Sequence, residues 1–180
     1  LVPAFHDVVF RSPEVHRIIL NVGGIANVTN LNPGSITKGF DTGPGNILLD
    51  AWVQRHTGRV FDEDGKWASS GHVIPRLLDA LLAHPFLDLA PPKSCGREQF
   101  NIDWLESNLV GGEPAEDVQA TLLELSARSI ASAIERWCGK PEELAVCGGG
   151  AHNEMLLRRL SALLPRTRIQ TSDILGIEAD

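Results

Sequence analysis

The chain has 180 residues, 43% apolar and 22% charged, the balance of an ordinary globular domain large enough to bury one core. A formal net charge of −7, with no run of Lys or Arg, argues against duplex nucleic acid as a partner, because neutralising many phosphates calls for a basic face. Three widely spaced cysteines (Cys95, Cys138, Cys147) exclude a paired zinc motif, and no apolar stretch reaches membrane-spanning length. A reduced, cytoplasmic protein with no membrane partner is the expectation.

Leu1-Val2-Pro3-Ala4-Phe5-His6 lacks an initiator Met and a secretory signal and reads as the middle of a longer chain. Ile174 to Asp180 stops just after a loop, so truncation at both ends is expected. Arg17 to Val22 is a β-branched apolar run entering the tight turn Gly23-Gly24. Ala26 to Leu31 and Ser35 to Phe40 follow as short strands around Asn32-Pro33-Gly34, which predicts an antiparallel meander. Asp41 to Asn46 has loop chemistry and Ile47 to Val53 helical character, with Asp41 or Thr42 as cap, Pro44 in the first turn and Gly58 as stop.

Residues 59–112 are less regular, with one helix over Val73 to Ala83 and a Pro-rich string from Pro91 to Glu98. They read as an insertion carrying specificity or partner contacts. A long helix spans Pro114 to Cys138, its stripe of Leu123, Ala127, Ile130, Ile134 and Trp137 ended by Gly139 and Pro141. Its small residues Ser129, Ala131, Ser132 and Ala133 permit close approach, either by another copy in a homodimer or by an element of the same chain. Leu144 to Cys147 (strand), Asn153 to Leu164 (helix) and Arg168 to Thr171 (strand) complete a mixed sheet with helices on its faces.

Three glycine turns leave predicted strands: Gly23-Gly24, Gly43-Pro44-Gly45 and Gly148-Gly149-Gly150. Glycine lets the backbone approach a ligand closely, and two of the turns lead toward helix N-termini that favour anions. If the three bends share one rim, they suit a nucleotide. Neither a Walker A loop nor a dinucleotide-binding G-x-G-x-x-G is present.

The strings Asn21 to Asn27 (NVGGIAN), Phe40 to Asn46 (FDTGPGN), Pro91 to Glu98 (PPKSCGRE) and Cys147 to Asn153 (CGGGAHN) resemble the anhydro-N-acetylmuramic acid kinase family, in the same order from Leu1 to Asp180. The resemblance implies an α/β, ribonuclease H-like fold of the actin-like ATPase superfamily, shared with sugar kinases and heat-shock chaperones. It also implies use of ATP and Mg2+ to open the 1,6-anhydro ring of a cell-wall amino sugar with water and phosphorylate the freed 6-hydroxyl. N-acetylmuramic acid 6-phosphate is the product, in peptidoglycan recycling.

Residue by residue, Gly23 and Gly24 resemble a second phosphate loop, and Gly148, Gly149, Gly150 and Asn153 an adenosine motif. Asp41, exposed by Gly43 and Gly45, is either a water-mediated Mg2+ contact or a helix cap. Lys93 and Arg97 are either contacts to phosphates or the sugar's carboxylate, or a solvated loop with Arg97 paired to Glu98. The family's first phosphate loop and water-activating aspartate fall upstream of Leu1. The expectation is one nucleotide-binding domain, inactive alone, whose N-terminal partner domain is absent.

Other candidates carry less. The six histidines lack metal spacing, the four tryptophans read as core, and Asp62-Glu63-Asp64 reads as a solvated turn rather than a metal site. Asn21 stands where related ATPases often carry an acid. The competing functions are a non-catalytic nucleotide-binding switch of the actin and chaperone kind, and a purely structural domain.

Overall fold

A computed structural model describes residues 10–172, so the expectations at the two chain ends lie outside the described residues. Five strands form one mixed sheet in the order β3-β2-β1-β4-β5: β1 (Arg17–Val22), β2 (Ile25–Leu31), β3 (Lys38–Pro44), β4 (Glu143–Cys147) and β5 (Arg168–Thr171). β1, β2 and β3 run as the expected antiparallel meander, whereas β4 pairs with β1, and β5 with β4, in parallel. Because Asn21 lies opposite Cys147, β1 and β4 finish at the same edge, and their glycine turns leave side by side. At the other edge Glu143 accepts from Arg17 (2.7 Å) and Arg168 (2.9 Å), stitching β1, β4 and β5 together.

Strand alternation sorts the core. Ile18, Leu20 and Val22 of β1 join Val28, Phe40, Leu144 and Val146 on one face. They pack there against α5 (Ala115–Trp137) and α6 (Glu154–Leu163) through Ile130, Ile134, Leu156 and Leu160. Ile19 turns to the opposite face with Phe10, Leu31 and Ala145.

A second core lies beyond the sheet. It is built by α1 (Ile47–Thr57), α2 (Pro75–Leu82), α3 (Pro85–Asp88), α4 (Ile102–Asn108) and the first half of α5, around Trp52, Leu77, Leu81, Phe100 and Leu105. Residues 59–112 are therefore more regular than the sequence suggests, holding three helices and two 3-10 turns, Glu63–Gly65 and Ala68–Ser70. α5 belongs to both cores, which is why every residue from Val118 to Ala127 is buried, on all sides of the helix. Among the described residues no helix is long and apolar enough to cross a membrane.

Three local expectations need correction. β3 extends to Pro44, because Asp41, Gly43 and Pro44 find ladder partners on Asn27, Ala26 and Ile25 that local loop chemistry does not reveal. Neither Asp41 nor Thr42 caps α1: both lie in β3, and Asn46 is the N-cap, without a side-chain cap bond. Trp137 is more than one-third exposed rather than core, its ring 5.4 Å from the Arg136 guanidinium.

Candidate functional site

The three glycine bends converge. Gly45 N donates to Gly24 O (2.9 Å), Asn46 N to Gly23 O (2.8 Å) and Ile47 N to Gly24 O (3.1 Å), and the Asn46 side-chain amide donates to Val22 O (3.3 Å). The carbonyls of Gly23 and Gly24 thus accept their hydrogen bonds inside the loop cluster. The same bonds use the N–H groups of Asn46 and Ile47, the cap and first residue of α1, so that this part of the helix end is a lock between turns.

Gly148 and Gly150 pack on the end of β1. A Cβ on Gly148 (φ +77°) would collide with the Asn21 side chain, and one on Gly150 with the Val22 side chain. Gly149 leaves space 3.8 Å from the Asn46 amide. The third turn reaches its helix through a 3-10 turn, Gly149–His152, after which Asn153 caps α6 by accepting from Leu156 N (3.0 Å). Gly43 serves the other side: a Cβ there would stand 2.8 Å from Leu87 and 3.2 Å from the Ser129 hydroxyl. Next to it the Ser126 hydroxyl donates to Gly45 O (2.7 Å). Within α5, then, the Ser126 hydroxyl serves the chain's own loop, while Ser129 lies against Gly43 of β3 and its hydroxyl donates to Ser126 O (3.0 Å).

Asp41 positions a second segment. Its Oδ2 accepts from the Ser94 hydroxyl (3.0 Å) and from Cys95 N (3.0 Å), and its backbone N–H donates to Lys93 O (3.1 Å). Lys93 itself departs from the expectation of a ligand contact. Its side chain is buried, with the ammonium donating to Phe86 O and Leu87 O (both 3.2 Å) and lying 4.7 Å from the Phe86 ring. Burial, which disfavours the cation, lowers its pKa. Arg97 is exposed and forms no ion pair with Glu98; its guanidinium stands over the β1–β2 turn, 3.8 Å from where a Cβ on Gly24 would sit. Asp41 and Lys93 thus hold the Pro91–Glu98 string in place, and Arg97 is the cation this string delivers to the rim.

Beside the rim opens a cavity of about 420 Å3, bounded by Asn46, Leu49 and Asp50 of the α1 end, by residues 61–64, and by Gly149, His152 and Asn153. Burial pushes the Asp50 carboxyl up to about 6. Asp62 is buried, not solvated: its two oxygens accept from Trp67 N and Ala68 N (both 2.8 Å). Asn46, Asp50 and Phe61 were not legible as site residues from spacing. The one available signal was Asp50 itself, the sole charge in the apolar run from Ile47 to Val53.

The fit to a nucleotide and to a metal differ. Close glycine turns, an exposed guanidinium and an adjoining cavity suit a phosphate and a nucleoside respectively. No group of three or more His, Cys, Asp or Glu side chains among the described residues is placed to hold a metal ion, and one Asp41 oxygen is already committed to Ser94 and Cys95.

Comparison with known proteins adds the lineage. A family model described as anhydro-N-acetylmuramic acid kinase matches residues 1–180. Proteins carrying that name from Thiobacillus denitrificans and Nitrosomonas europaea are 55% and 51% identical to it, each aligned to 100% of this chain and to 49% and 50% of their own length. The chain therefore spans about half the length of the curated relatives it matches. Among solved structures, xylulose kinase from Rhodospirillum rubrum superposes with a TM-score of 0.57 at 11% identity, over 97% of this chain and 38% of that one. The activator of 2-hydroxyisocaproyl-CoA dehydratase from Clostridium difficile, solved with bound ADPNP, gives 0.55 at 19% identity, over 95% and 60%. Both likenesses are of fold: the actin-like ATPase architecture, with its mixed sheet and flanking helices.

Proposed function

This chain belongs to the anhydro-N-acetylmuramic acid kinase family, and from that premise we propose that it is the nucleotide-binding domain of a two-domain, ATP-dependent carbohydrate kinase. The whole protein would hydrolyse and phosphorylate 1,6-anhydro-N-acetylmuramic acid to N-acetylmuramic acid 6-phosphate. The observation that carries this reading is the convergence of the turns after Val22, Pro44 and Cys147 at one sheet edge, with Arg97 over the first of them.

In this reading the Gly23-Gly24 turn receives the β- and γ-phosphates, Gly43 and Gly45 shape the loop behind it, and Gly148 to Gly150 with Asn153 pass the nucleotide on toward the cavity. Arg97 supplies positive charge at the phosphates. Asp41 acts by fixing the segment that carries Arg97. Mg2+, when bound with the nucleotide, neutralises phosphate charge, and its ligands would be phosphate oxygens and water rather than a cluster of this chain's carboxylates. Phosphoryl transfer depends on in-line positioning between two closing domains, so the 180-residue chain alone is expected to bind nucleotide without turning over the sugar. The non-catalytic switch is not favoured, since relatives near half identity are named as kinases.

The test is turnover of the anhydro-sugar by the protein at the length of its relatives, with phosphate found on the 6-oxygen of the product. Absence of ATP-dependent product would overturn the reading. Arg97→Glu in that protein should raise KM for ATP or abolish turnover, and unchanged kinetics would remove Arg97 from the phosphate site.

A further inference from the structure

The cavity beside the rim has a polarity of its own. Four carboxylates edge it (Asp50, Asp62, Glu63 and Asp64), whereas the exposed guanidinium of Arg97 lies at the Gly24 turn. A phosphate chain would be repelled by the first group and held by the second. A nucleotide lying across both must therefore point its phosphates at Gly24 and its neutral nucleoside into the cavity, whose volume of about 420 Å3 falls in the range of small-ligand pockets.

Three of the four carboxylates are committed. Asp62 accepts from two backbone amides, Asp64 pairs with Lys66 at 2.9 Å, and Glu63 faces the same ammonium at 4.0 Å. Asp50 is half-buried on α1 and, among the described residues, its carboxylate has no hydrogen-bond or ion-pair partner. Phe61, at the cavity mouth, is 59% exposed, an aromatic face left open to water. The wall that carries Phe61 is fixed to the third glycine turn. Gly65 (φ +70°) lets the 3-10 turn pack so closely on α6 that a Cβ would stand 2.7 Å from the Asn153 carboxamide oxygen and 2.8 Å from the Met155 Cβ.

Resting on the nucleotide reading above, we propose that Asp50 is the ribose-selecting residue of this site: its carboxylate accepts a hydrogen bond from a ribose hydroxyl of a nucleotide whose base lies against Phe61. A vicinal diol is a neutral donor, the partner a lone carboxylate can take without charge neutralisation. An open aromatic face beside it suits the flat base. Partial burial, which also raises the Asp50 carboxyl to about 6, makes such a bond stronger than it would be in water. Residues 61–65 thereby become a nucleoside wall rather than a sugar-specificity element.

The test compares ATP, 2′-deoxy-ATP and 3′-deoxy-ATP as phosphate donors for the protein at the length of its relatives, in wild type and in Asp50→Ala, Asp50→Asn and Phe61→Ala, with tripolyphosphate as a competitor that lacks the nucleoside. In wild type, removing the bonded hydroxyl should raise KM about tenfold, the size of a hydrogen bond to a charged group. In Asp50→Ala that penalty should vanish while KM for ATP rises about as much, and Asp50→Asn should retain part of it. Phe61→Ala should raise KM for all three nucleotides together, about fivefold for a lost stacking face. Inhibition by tripolyphosphate should be the same in every variant. Equal use of all three nucleotides by wild type would overturn the proposal, and so would a deoxy penalty that survives undiminished in Asp50→Ala. Either result leaves ATP turnover, and with it the kinase reading, intact; loss of ATP use by wild type would sink both.

Discussion

The sheet edge and the helical layer over residues 47–112 face the same cleft, but they are held there by different means. At the edge, turn meets turn: Gly45, Asn46 and Ile47 bond through the main chain to the Gly23-Gly24 turn, and Gly148 and Gly150 leave no room for a Cβ against Asn21 and Val22. In the layer, side chains do the holding. Phe100 is fully buried among Phe86, His84 and Trp104, and Asp62 ties the 61–68 segment through its carboxylate. The lesson is that the two walls fail differently. Adding an atom ruins the first, and removing atoms ruins the second.

The largest expected effect tests the layer. Phe100→Ala removes a fully buried ring, and should cost about 4 kcal/mol in a urea unfolding series. If the layer were a detachable insertion, the loss would appear as a separate early transition. Since α5 serves both cores, one shifted transition is expected. Gly45→Ala tests the edge, where the new Cβ would strike the Gly23 carbonyl oxygen. A loss of about 2 to 3 kcal/mol, measured the same way, together with weakened ATP binding by titration calorimetry, is expected from the forced backbone shift. A neutral effect would show that the three turns are not mutually locked.

Glu124 ties α5 to α6. Its buried carboxylate accepts from Arg128 (2.5 Å) and from Arg159 (2.5 and 2.9 Å). Because both arginines are partly exposed and retain water when the partner is removed, Glu124→Ala should cost about 1 to 2 kcal/mol rather than the larger cost of a fully buried pair.

The smallest effect is in pH, and two carboxylates, Glu124 and Asp50, give it opposite signs. Burial alone would push the Glu124 carboxyl up, but hydrogen bonds from Arg159 and Arg128 hold it below its ordinary 4.5. Its stabilisation is present above that value and is lost as pH falls through the depressed one. For Asp50, burial raises the carboxyl from 3.8 to about 6, so the folded chain keeps its proton longer than the unfolded one. Stability from this group is highest below pH 4 and falls as pH rises toward 6, by about 1 kcal/mol after solvent screening. Thermal melts of Asp50→Asn should lack that decline, and melts of Glu124→Gln should lack the acid loss.

The sequence disclosed the edge far better than the layer, for the same physical reason. Where a turn must pass close to another part of the chain it demands glycine, as at Gly45, Gly148 and Gly150, so FDTGPGN and CGGGAHN are written locally, as is the apolar run of β1, buried on both faces. The layer's contacts join residues far apart in the chain, such as Ile74 N to the Thr121 hydroxyl or the Trp52 indole N–H to Ala115 O, and no local pattern announces them. Lys93 illustrates the limit. A lysine in a Pro-rich string reads as solvated or ligand-binding, until Phe86 and Leu87 present two carbonyls to it. Asp41 was legible as a residue of consequence but not as a strand residue holding Ser94 and Cys95.

α5 runs 23 residues, about 35 Å at the ordinary helical rise, and offers solvent no face between Val118 and Ala127. A protein engineer seeking to swap the donor pocket of one such kinase for another could not cut at the borders of residues 59–112 alone. The replacement would have to bring its own first half of this helix, because the grafted layer and the recipient sheet would otherwise compete for mismatched sides of one rod.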